Sequence, residues 1–130
     1  MEKVNFETAT QEVEKWLNYK KVKPSRRESL RSFIDILVEA VQLGQLTLGE
    51  NHEWIMALDF PIGEIKELTF KPRITDAELS NYKRNVKGVD AFDTQQLVLL
   101  CGLTTQMAGT IRNLDTADRA VADAIVLFFQ

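Results

Sequence analysis

One cysteine, one histidine, three prolines and six glycines are spread over 130 residues. Each scarcity excludes something. Cys101 is alone, so no internal disulfide can form, in keeping with a reducing compartment. His52 has no second histidine to share a metal with. Charge of one sign is also missing: 16 basic side chains stand against 19 acidic ones, for a net −3. Neither part of the chain departs from this balance, since residues 1–73 carry 11 basic and 12 acidic groups and residues 74–130 carry 5 and 7. A duplex-binding domain concentrates basic charge on one face, because phosphate neutralisation supplies most of its affinity. Long hydrophobic runs are absent too. The longest uncharged stretch, Thr94 to Ile111, contains nine polar or glycine residues, too many for a membrane-spanning helix. The opening MEKVNFETATQEVEKW has acids where an export signal needs an apolar run. We expect a cytoplasmic protein.

What is present suits one domain with one core: 45% of residues are hydrophobic and 27% charged. The expected fold class is α+β, mainly α, with five or six helices and a small antiparallel hairpin or three-stranded sheet in the middle. Residues 1–44 form an N-terminal helical module, 45–73 a β region and 74–130 a set of C-terminal helices. Phe6, Ala9, Val13, Trp16 and Leu17 share one face of a helix ending near Tyr19. Ser25 and Glu28 have capping-box spacing, and Leu30, Phe33, Ile34, Leu37, Val38 and Val41 follow as an apolar stripe closed by Gly44. Between Leu46 and Ile74, short extended runs alternate with turn formers; Pro61 and Gly63 mark a turn and Pro72 ends pairing. Thr75 with Glu78, and Asp93 with Gln96, are further capping boxes; Thr104 or Thr105 opens another helix, and Asp115 caps the last.

Candidate chemistry is sparse. His52, in the turn-like GENHEW, reads as a solvated turn residue, and Cys101, in LVLLCGL, as a small core hydrophobe. Asp115, Asp118 and Asp123 read as a cap and surface residues of a helix start. No glycine-rich phosphate loop occurs. No catalytic, cofactor-binding or metal-binding residue is assigned, and no cofactor is expected.

Two segments remain as binding candidates. Lys20, Lys21, Lys23, Arg26 and Arg27 make a basic stretch with Tyr19 beside it, which supports an alternative reading as a small regulatory or nucleic-acid-associated protein using residues 19–31. A solvated inter-helix loop is the simpler account of that stretch. On the last helix, Ala117, Val121, Ala124, Ile125 and Phe128 form a stripe for the domain's own core. Val126, Leu127 and Phe129 fall off it. They either present an apolar patch to a partner or are covered by other helices of the same domain.

The run Pro61, Ile62, Ile65, Glu67, Leu68, Thr69, Phe70, Lys71 and Pro72, then Leu103 and Thr104, then Leu114, Asp115 and Asp118, resembles the tail assembly chaperone family of long-tailed bacteriophages. The likeness spans residues 56–130 and departs at Lys71, where arginine is usual, and at Thr105, where glycine is expected. It implies a non-enzymatic protein that holds the tape measure protein during tail morphogenesis, helps recruit tail tube protein, works in the host cytoplasm and is absent from the mature virion. Val126, Leu127 and Phe129 would be its partner-binding residues, and the same patch would support homo-oligomers until the partner arrives.

Overall fold

The computed structural model describes residues 4–73, Thr75, Ala77, Glu78, Cys101 and residues 113–129, with only the backbone of Phe129. Its elements run α1 (Phe6–Tyr19), α2 (Pro24–Ser29), α3 (Arg31–Gln42), β1 (Leu46–Leu48), β2 (Trp54–Ile62), β3 (Ile65–Phe70) and α4 (Thr116–Val126), closed by a 3-10 turn at Leu127–Phe129. The fold is α+β, with a three-stranded antiparallel sheet of order β1-β2-β3 in mid-chain. Four α-helices are delimited among the described residues, against five or six expected for the whole chain, and Ala77 and Glu78 are helical as well. The helix starts expected at Asp93 and at Thr104 or Thr105 lie outside the described residues.

Helix α1 starts where Asn5 Oδ1 accepts from the Thr8 N–H at 2.8 Å, supplying one amide that has no intrahelical partner. It buries Ala9, Val13, Trp16 and Leu17, four of the five positions on the predicted stripe, while Phe6 stays 65% exposed. At its end, Val22 N donates to Leu17 O and Lys21 N to Asn18 O, a Schellman closure with Lys21 at φ 57° in the left-handed position. Gly44 ends α3 in the same way at φ 79°, with Gln45 N bonded to Ala40 O and Gly44 N to Val41 O. Glycine takes that conformation freely; lysine does not.

The single helix expected from Ser25 to Val41 is two helices. Pro24 occupies the first turn of α2, where its missing N–H costs nothing, and Lys23 stands at the cap without a side-chain bond. Ser25 is therefore inside the helix and caps nothing; its carbonyl accepts from Ser29 Oγ. The break falls at Leu30, with φ −105° and ψ 22°. It lets α2 follow Arg26, whose guanidinium donates to Leu127 O, while α3 packs on α1 and α4. At Thr75 one half of the box is present: Thr75 Oγ1 accepts from the Glu78 N–H at 3.1 Å, and its hydroxyl donates to Glu78 Oε1 at 3.3 Å.

The sheet turns Leu46, Trp54, Met56, Leu68 and Phe70 into the core and leaves Thr47, Ala57, Glu67 and Thr69 outside, as period-two alternation requires. Trp16 is the hinge of the packing, with ring centroids 5.7 Å from Trp54 and, edge-on, 5.5 Å from Phe128. Beyond Ala57 the β2–β3 register shifts. Ala57 pairs with Glu67 and Ile62 with Ile65, so residues 58–61 of β2 face Lys66 alone.

Candidate interaction surface

That bulge sets an exposed aromatic side chain, Phe60, at the tip of the hairpin. A bulged strand loses ladder partners locally and bends. Here the freed amides of Asp59 and Phe60 donate to Asp118 Oδ1 and Oδ2, each at 3.0 Å, and Gln45 Nε2 donates to Oδ1 at 3.0 Å. Asp118 is fully buried. Its carboxylate thus ties α4 to the bulge and to the residue that leads into β1. Leu58 points into the core, while Phe60 lies 55% exposed beside exposed Pro61. Gly63, at φ 58° with open space around it, makes the turn into β3.

Asp118 was expected on the surface, and it is the buried polar centre instead. The signal was available as spacing: Asp118, Val121, Ala122 and Ile125 stand at i, i+3, i+4 and i+7, and all four are buried. Ala117, predicted to lie on the apolar stripe, is exposed. Asp115 caps α4 as expected, accepting from Ala117 N at 3.0 Å, and Asp123 pairs with Arg119 at 2.8 Å.

Of the apolar patch predicted at the chain's last turn, Val126 is covered and Leu127 partly so. Val126 is 1% exposed and Phe128 6%, while Leu127 is half-buried with its carbonyl bonded to Arg26 Nη2 at 2.6 Å. The reason is that α4 packs against both α3 and β2, so off-stripe positions also meet protein, and the turn after it sets Phe128 against Trp16 of α1. The side chain of Phe129 lies outside the described residues.

The basic stretch is divided among separate tasks. Arg26 holds the Leu127 carbonyl, and Arg27 donates to Val22 O at 3.0 Å and Asn18 Oδ1 at 2.9 Å. Lys20 reaches Pro72 O at 3.4 Å and lies over the Trp16 ring. Burial, and secondarily the Arg73 guanidinium, lower the Lys20 pKa to about 8. Only Lys21 and Lys23 of the five are exposed. His52 is a half-buried turn residue at φ 65°, stacked on Tyr19 with centroids 4.1 Å apart; Arg73 lies over the same Tyr19 ring at 5.1 Å. Cys101 packs against the core, and burial pushes its thiol up to about 12, the behaviour of a hydrophobe rather than a nucleophile.

No group of three or more metal-ligating side chains occurs among the described residues, and none of their helices is long and apolar enough to cross a membrane. No family model, curated protein or solved structure matches the chain.

Proposed function

We propose that the chain is a non-enzymatic tail assembly chaperone of a long-tailed phage, acting in the host cytoplasm and leaving before the virion is complete. In this reading it binds the tape measure protein through apolar surface at the tip of the β2–β3 hairpin. The observation that carries it is Phe60, 55% exposed on a strand end whose backbone is clamped by Asp118. An aromatic side chain on a rigid base loses little entropy on binding and buries much area, which is how a binding hot spot is built.

The motif behind the family resemblance supports the same assignment. Pro61 to Phe70 form this hairpin, and Leu114, Asp115 and Asp118 are respectively buried, capping and clamping. The proposed contact thus shifts from Val126, which the domain covers, and half-buried Leu127 to the hairpin tip. Tail tube protein remains the proposed second partner.

Co-expression with the tape measure protein of the same genome tests this. The wild-type chain should keep that protein soluble and co-purify with it, and Phe60→Asp should abolish co-purification while leaving the chain's own melting temperature unchanged. Equal co-purification by the variant would remove the hairpin tip from the interface. Failure of both proteins to associate would end the chaperone reading.

A further inference from the structure

At the opposite side of the sheet, β1 pairs on one edge only among the described residues. The phase of its hydrogen bonds decides what the other edge offers. Ala57 N donates to Gln45 O and Gly49 N to Glu53 O, both at 2.8 Å, so Gln45, Thr47 and Gly49 turn their backbone groups toward β2. In an antiparallel ladder the alternate residues face away. The N–H and C=O groups of Leu46 and Leu48 therefore point outward, and none of them has a hydrogen-bond partner among the described residues.

Unpaired strand edges are templates for another strand, and soluble proteins commonly block them with charge, proline or a covering element. This edge opens instead on a cleft of about 490 Å³ lined by Val4, Thr8, Glu12, Val41, Leu46 and Leu48. Glu12 is its only charged wall among the described residues.

We propose that this edge binds an extended segment of a partner protein by strand addition. Residues of the segment paired with Leu46 and Leu48 would project their side chains to the same face as those leucines, into the apolar cleft. The residue between them, opposite exposed Thr47, would face water. The recognised pattern is thus apolar, polar, apolar, with a lysine or arginine flanking it to meet Glu12. A second copy of the chain suits the edge less well. Pairing β1 with β1 about a two-fold axis sets both α1 helices on one face of the joined sheet and turns two Glu12 carboxylates into one cleft. This site is separate from Phe60 and goes beyond the hairpin-tip reading.

Fluorescence anisotropy of the full chain with labelled, end-capped peptides containing Val-Thr-Val flanked by lysine tests the inference. N-methylation of both valines removes the two donors aimed at Leu46 and Leu48 and should weaken binding at least about tenfold, whereas N-methylation of the threonine should change it less than about twofold. Glu12→Lys should reverse the preference between lysine-flanked and glutamate-flanked peptides. Phe60→Asp should leave these affinities intact, which separates this site from the hairpin tip. Indifference to valine methylation, no saturable binding, or sedimentation showing a dimer that peptide does not dissociate would each overturn the proposal.

Discussion

Asp118 Oδ2 accepts a hydrogen bond from the Phe60 amide at 3.0 Å, joining the first turn of the last helix to a strand 58 positions earlier in the chain. The contact accounts for two features together. A bulge that releases backbone donors inside a protein needs an acceptor, and a carboxylate without solvent needs donors. Each makes the other tolerable, and the by-product is a hairpin tip held at a fixed angle with Phe60 outside.

Replacing Asp118 by Ala should accordingly be among the most damaging substitutions in the molecule. It strands the amides of Asp59 and Phe60 and the Gln45 carboxamide, so we expect a loss of about 3 kcal/mol or more in urea unfolding. Asp118→Asn keeps one acceptor oxygen and should fall between Ala and wild type. A loss below about 0.5 kcal/mol for the alanine variant would refute the clamp.

Two apolar-to-acid changes should behave oppositely. Val126→Asp places a charge where the native side chain is 1% exposed, and should unfold the domain or cost about 3 kcal/mol or more by circular dichroism melts. Phe60→Asp, at a site 55% open, should stay within about 0.5 kcal/mol of wild type. Equal tolerance at both positions would return the last turn to the list of free surfaces.

Lys21 offers a stabilising change. It holds φ 57° at the end of α1, a conformation costing a residue with a Cβ about 1 kcal/mol. Lys21→Gly relieves that cost, offset in part by the greater freedom glycine has when unfolded, and a gain of about 0.5 kcal/mol in denaturant midpoint analysis is expected.

Lys20 should leave a signature at alkaline pH. Its folded pKa is lowered from 10.5 to about 8 by burial and by Arg73, so between these values the unfolded chain binds more protons than the folded one. Stability contributed through Lys20 must then rise as pH climbs from about 8 toward 10.5, and stay at its lower level below that window. Comparing urea midpoints of wild type and Lys20→Met across this range isolates the effect, since other groups titrate in both. A difference independent of pH would contradict the shift.

Much of the fold could be read from local pattern. The α1 face, the Gly44 stop, the Asp115 cap and the hairpin turn at Gly63 are decided by residues within a few positions of one another, where backbone geometry and side-chain reach act directly, although Pro61, expected in that turn, lies within β2. Ser25 shows the limit of such reading, because two local signals competed and Pro24 set the helix start. Burial was harder: a helix pattern says which side is apolar, but not how many neighbours surround it. Val126 was misplaced for that reason, and Asp118 because a polar residue on an apolar stripe shows its partner only when β2 arrives beside it.

Taken alone, the sequence determined the helix and strand periods, the turns and the balanced charge, since these follow from residue identity and short-range sterics. Among the described residues, tertiary structure decided which apolar side chains lie exposed, where the buried carboxylate found its three donors, and which strand has an unpaired edge. Those outcomes depend on groups far apart in the chain meeting in space, and no local spacing encodes that meeting.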